Sequence, residues 1–170
     1  VGLACGGEIE IFVEKVTWQS IIGAVHIAKQ LYQFARTVGY QVLIIDPREA
    51  FANIVRFPDV PIHVEWPDEA MEQMKFHQRT AVVTLSHDPK IDDPALMTAL
   101  RSTAFYIGAL GSRKTHAECL QRLRLAGFSD EVLERIHGPV GLDIGAVTPE
   151  EIAIAVMAQI TDIWRNGCRG

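Results

Sequence analysis

The sequence predicts an α/β fold, a doubly wound and mostly parallel sheet with helices on both faces, and three observations predict it. The stretch from Ser20 to Arg48 reads as strand, glycine turn, amphipathic helix, second strand and terminal acid, which is the opening unit of a Rossmann-like nucleotide-binding sheet. Thr80 to Leu85, TAVVTL, is a continuous β-branched run of the kind buried on both faces of a parallel sheet. Strand and helix patterns then alternate to the end of the chain, as crossover connections require.

Bulk properties bound the rest. A chain of 170 residues, 48% hydrophobic and 22% charged, holds one globular domain with a substantial core and is too short for two. A net charge of -5 argues against non-specific nucleic-acid binding, so an anionic ligand must find local positive charge. No apolar run approaches the roughly 18 residues of a membrane span, and the N-terminus lacks the basic-then-apolar order of a secretion signal. A cytoplasmic protein is expected, with neither membrane nor nucleic acid as partner. Cys5, Cys119 and Cys168 are odd in number and lack CxxC spacing, which supports neither a disulfide framework nor a zinc site. Cys119 falls in a helical pattern as a packed thiol, whereas small residues around Cys5 would let a ligand approach.

Taken in order, residues 1–16 read as the end of an N-terminal domain, a Gly-rich loop and a strand alternating Ile9, Ile11 and Val13 against polar neighbours. Residues 17–170 form the Rossmann-like domain, with its first strand beginning near Trp18. Ile27, Leu31, Phe34, Ala35 and Val38 recur at helical spacing, and Gly39 closes that helix. Gln41 to Ile45 is the second strand, and Asp46 follows Gly23 by 23 positions, close to the spacing of a ribose-binding acid. The turn itself has glycine only at Gly23. Ala28 is an accepted third residue, but Val25 puts a branched side chain where a pyrophosphate needs bare backbone.

Beyond a short helix or turn at 49–55 and a proline-punctuated loop, Ile62 to Trp66 reads as a third strand and Pro67-Asp68-Glu69 as a helix start. Pro94 to Ser102 is the next helix, with Asp92 and Asp93 as its Asx-type cap, and Ala104 to Gly108 the next strand. Thr115 to Ala126 is amphipathic, and Ser129 caps a short helix. The glycine-rich loop from Gly138 to Gly145 leads to a long final helix. There Thr148-Pro149-Glu150-Glu151 supplies cap, first-turn proline and capping box.

Ligands of an open parallel sheet bind beyond the carboxyl ends of its strands. The residues placed there are Gly23 and His26, Asp46 and Arg48, Ser86-His87-Asp88, and Gly111-Ser112-Arg113 with Lys114. Ser112 and Arg113 can hold a phosphate at a helix N-terminus, or simply cap it. A metal cluster of His87 and Asp88 with Asp92 and Asp93 needs unusual geometry and is the weaker reading.

Together with Ala4-Cys5-Gly6-Gly7-Glu8, Asp46-Pro47-Arg48, Tyr106-Ile107-Gly108 and the run Ile136 to Gly145 that contains Asp143, these motifs resemble the XdhC/CoxI family. Its members are accessory factors for xanthine dehydrogenase and carbon monoxide dehydrogenase maturation. The resemblance implies a domain that carries molybdenum cofactor, supports its sulfuration with a cysteine desulfurase, and delivers it to a molybdenum hydroxylase apoenzyme. It implies a cofactor carrier more than an enzyme, with a homodimer as the expected assembly. It also implies that Cys5 lies near the cofactor as a soft thiolate contact to molybdenum. The family usually reads Gly-Ala-Gly-His where this chain has Gly23-Ala24-Val25-His26, and its N-terminal domain is longer. Two further readings stand beside it: an NAD(P)-dependent oxidoreductase using Asp46 for the ribose, and a cofactor-free assembly scaffold.

Overall fold

The computed structural model describes residues 18–23, 26–74 and 76–167. The expected N-terminal piece with Cys5, the turn residues Ala24 and Val25, and Cys168 lie outside the described residues. Six strands, β1 (Trp18–Ile22), β2 (Gln41–Ile45), β3 (Ile62–His63), β4 (Thr80–Thr84), β5 (Tyr106–Ala109) and β6 (Ile136–His137), form one sheet in the order β3-β2-β1-β4-β5-β6. Every pairing is parallel, the doubly wound architecture expected. The helices are α1 (His26–Thr37), α2 (Pro67–Glu72), α3 (Pro89–Arg101), α4 (Arg113–Leu125), α5 (Asp130–Leu133) and α6 (Pro149–Gly167).

Alternation along the strands builds two cores. Ile21, Ile44, Val83 and Tyr106 face one side and are covered by α1 and α6, which pack on each other. Ile22, Ile45, Val82 and Ile107 face the other, beneath α2, α3 and α4. Because both faces are covered, the central strands are apolar at consecutive positions rather than at every second one. Leu31 is fully buried from α1, and its truncation to alanine falls in the class that costs about 2–5 kcal/mol. Val38, the last residue of the expected apolar stripe, is 61% exposed, because α1 ends at Thr37 and the chain turns away at Gly39 with φ +89.

Three elements differ from expectation. The third strand pairs over Ile62–His63 alone, against Ile44 and Ile45, and Val64 and Trp66 are exposed beyond it. α3 starts five residues earlier than the Asx reading placed it: Asp88 caps it by accepting from the Lys90 amide (3.0 Å), and Pro89 takes the first turn. Pro94 lies inside the helix, where the bond it cannot donate belongs to the carbonyl of exposed Lys90, within reach of water. Asp92 and Asp93 are therefore buried helix residues and not a cap. The third difference is β6, a two-residue edge strand at the head of the glycine-rich loop, too short to carry a periodic signal. No described helix is long and apolar enough to cross a membrane.

Candidate functional site

Strand order reverses between β1 and β4, so the carboxyl ends of these strands form the topological switch point. The glycine after β1 is required there. Gly23 adopts φ +89, and a Cβ on it would lie 2.6 Å from the Ser86 amide nitrogen. Its own amide donates to the Ile45 carbonyl at 2.9 Å. The turns after β1 and β4 are thus in van der Waals contact, and Gly23 serves packing whatever else it contacts.

The polar groups around this point satisfy one another. Asp46, 0% exposed, accepts from Arg48 Nε (2.8 Å) and from the Arg48 backbone amide (2.9 Å) at Oδ1, and from Nη2 (2.7 Å) at Oδ2. Arg48 lies over the Phe51 ring at 4.6 Å. The Asp46 hydrogen bond raises its pKa further, with the charges of Asp88 and Asp92 adding to the effect. The acid expected to grip a ribose is held on both oxygens by its own neighbour. After β4, Asp92 Oδ1 accepts from the Ser86 hydroxyl (2.7 Å) and amide (3.3 Å), and Ser86 Oγ accepts from the Asp88 amide (3.0 Å). This network holds exposed His87 at φ +61, a conformation that costs a non-glycine residue energy.

The edge opens beside β5 and β6. A cavity of about 390 Å³ is lined by Gly111 and Arg113 from the start of α4, by Gly141, Asp143 and Gly145 from the loop after β6, and by Ile152 of α6. Ser112 is the N-cap of α4; its hydroxyl accepts from the Thr115 amide at 3.2 Å and shares a bond with the Thr115 hydroxyl. Arg113 and Lys114 are exposed in the first turn. The loop wall is pinned from below. Gln159 Oε1 accepts from the Tyr106 hydroxyl (2.6 Å) and from the Gly141 amide (2.9 Å), while Tyr106 stacks on His137. Burial holds the Tyr106 phenol well above its ordinary pKa, so it is a permanent donor.

Helix starts divide by charge in the same way. α2, α3, α5 and α6 carry acids in their first turns, where the helix dipole favours them. α1 and α4 carry none. They present His26 and Lys29, and Arg113 and Lys114, at the positive end of the helix. With no acid against the dipole, and with Lys29, Arg113 and Lys114 close to it, both starts are receptive to an anion.

A second, smaller hollow of about 110 Å³ lies between α3 and α4, with His87, Asp92, Asp93, His116, Cys119 and Arg122 in its wall. Arg122 grips Asp93 through Nε (2.6 Å) and Nη2 (3.0 Å). The buried Cys119 thiol donates to the same carboxylate, and burial pushes it up to about 11. It remains a packed, protonated thiol at neutral pH, as the sequence indicated. Among the described residues no group of three metal-ligating side chains is arranged to hold an ion.

The expected site residues share one edge but not one hollow. Gly111, Arg113 and Asp143 line the large cavity and His87 the small one. Gly23, Asp46, Arg48 and Asp88 belong to the packed network at the switch point, and His26 stands exposed at the head of α1. Sequence reasoning missed Tyr106 and Gln159, which meet across 53 positions. It also missed His116 and Arg122, whose helical spacing hid them among solvated charges.

Comparison with known proteins agrees with this architecture. The model of the XdhC Rossmann domain matches residues 20–160. The chain belongs to that family. It is 30% identical over its whole length to the uncharacterized Escherichia coli K12 protein YqeB, of which it covers 32%. It is 38% identical over 84 residues, 49% of the chain, to the E. coli K12 molybdenum cofactor insertion chaperone PaoD, covering 26% of that protein. A probable xanthine dehydrogenase subunit from Bacillus subtilis 168 is 31% identical over 76% of the chain, which covers 38% of it. A crystal structure of a xanthine dehydrogenase from Bacillus halodurans superposes with a TM-score of 0.77 at 30% identity, over 89% of this chain and 43% of that one. The chain thus spans about a third of the length of the curated relatives it matches.

Proposed function

We propose that the chain binds molybdenum cofactor and assists its sulfuration and its insertion into a molybdenum hydroxylase of the xanthine dehydrogenase type, acting as carrier and not as catalyst. One observation carries the reading: the helix start that bears Arg113 and Lys114 against the dipole faces a cavity of about 390 Å³ walled by glycines. The α4 amides and the Arg113 fork would hold the cofactor's phosphate, a charge-assisted contact of the strong kind. The loop containing Gly141 and Asp143, which Gln159 and Tyr106 keep in place, would form the facing wall of that phosphate site. The bound cofactor supplies the redox chemistry that the recipient enzyme uses. The relative named a molybdenum cofactor insertion chaperone supports the assignment.

Among the described residues no thiolate is available to the metal end, since Cys119 is buried and protonated. Cys5, in the Cys-Gly-Gly stretch, is the residue we assign to it. A cysteine desulfurase donates the sulfur and the hydroxylase apoenzyme receives the product. The test is anaerobic mixing with purified cofactor, followed by gel filtration with molybdenum analysis and pterin fluorescence. Wild type retains cofactor, and Arg113→Ala retains about a tenth as much, the factor that one lost charge-assisted contact of ~1.4 kcal/mol gives. If both retain equally little, the carrier reading fails.

A further inference from the structure

The hollow between α3 and α4 has no part in the phosphate contact just described, yet its wall is chemically specific. Thr84 and Ala109, at the ends of β4 and β5, bring it to the carboxyl edge of the sheet. Asp93 is already neutralised by Arg122, which leaves Arg122 Nη1 without a hydrogen bond among the described residues. Asp92 is buried, and three donors act on it: the Ser86 hydroxyl, the Ser86 amide and the His87 amide. A carboxylate has about four lone-pair positions, so one remains. His116 Nδ1 is shut away from water with no hydrogen-bond partner, and burial lowers the imidazole's pKa.

Burial also pushes Asp92 up to about 6. An asparagine carbonyl offers two lone pairs against these three donors, so the turn is anchored by a carboxylate that still has one acceptor position to spare. The Asp92 and Glu118 carboxylates in the wall disfavour an anion as the occupant. Among the described residues no group of three metal-ligating side chains is placed to hold an inorganic cation there. What fits is a neutral ring edge with N–H donors at one end and a carbonyl acceptor at the other.

We propose that this hollow recognises the 2-amino-4-oxopyrimidine edge of a pterin, its amino group donating to Asp92 and its carbonyl accepting from Arg122 Nη1. Guanine presents the same edge. The choice of pterin rests on the carrier reading above, whereas the donor and acceptor pattern does not.

The test uses the full chain at pH 7.5 and three probes without phosphate: 6-hydroxymethylpterin, lumazine, which has an oxo group in place of the amino group, and guanosine. Binding is followed by ligand fluorescence or by calorimetry. Wild type is expected to bind the pterin, with lumazine and Asp92→Asn each weaker by about tenfold or more. Asp92→Asn is expected to melt no lower than wild type, which separates lost recognition from lost folding. The proposal is overturned if wild type does not bind the pterin, if lumazine binds as well, or if Asp92→Asn binds like wild type; guanosine binding more tightly than the pterin overturns the choice of ring. The two readings separate cleanly. Intact cofactor retained through Arg113 but indifferent to Asp92→Asn leaves the carrier standing without this pocket, while pterin binding through Asp92 without retention of cofactor leaves the pocket without the carrier.

Discussion

The carboxyl edge of this sheet has two halves that do opposite things with the same kinds of residue. At the ends of β1, β2 and β4, an arginine, two acids, a serine and a glycine close on one another: Arg48 holds Asp46, Asp92 holds Ser86, and Gly23 lies against Ser86. At the ends of β5 and β6, an arginine and an acid stand exposed on either side of a cavity. In a dinucleotide-binding sheet the first half is where a ligand sits. Here it is the better packed of the two, and the open chemistry has moved one crevice along. A shared fold therefore locates the edge, while the pairing of individual side chains decides which part of it can receive a guest.

Substitutions can break or sharpen this contrast. The largest effect is expected from Gly23→Ala, which adds positive-φ strain to a 2.6 Å backbone clash and should cost about 3–4 kcal/mol in urea unfolding. A loss below ~1 kcal/mol would mean the switch-point turns are not in fixed contact. Arg48→Ala leaves the buried Asp46 carboxylate without its main partner and should cost about 3 kcal/mol. Arg113→Ala, on the open half, should change stability by less than ~0.5 kcal/mol; equal costs for the two arginines would erase the distinction.

Asp92 sharpens the contrast through pH. Its folded pKa of about 6 lies above the ordinary 3.8, so the folded state holds this proton more tightly than the unfolded chain. Its contribution is greatest below pH 4, declines as pH rises to about 6, and is flat above. Asp92→Asn should remove that slope and raise stability near pH 7.5 by on the order of 2 kcal/mol, read from unfolding curves across that range. A smaller loss than at the switch point is expected for Gln159→Ala. It unpairs the Tyr106 hydroxyl and the Gly141 amide and should cost about 1–2 kcal/mol, with faster amide exchange confined to residues 138–145.

Much of the scaffold was legible in the residues. The β1–α1–β2 unit, the fully buried β4, the serine caps at Ser112 and Ser129, and the capping box at Thr148 and Glu151 all stand where local rules put them. The start of α3 was misplaced because Asp88-Pro89 and Asp92-Asp93-Pro94 are equally good helix openings by local chemistry. Burial of Asp92 against Ser86, and of Asp93 against Arg122 of the next helix, chose between them. β6 escaped because two residues cannot show a period, and it exists through pairing with Ile107 and Gly108.

The sequence by itself determined which residues reach the carboxyl edge, because periodicity and turn chemistry are local and set where each strand stops. Only the tertiary structure decided which of them remain available. Hydrogen-bond pairing, desolvation and the shape of a hollow depend on groups brought together from distant positions, such as Tyr106 with Gln159 and Asp93 with Arg122, and no window along the chain contains both partners.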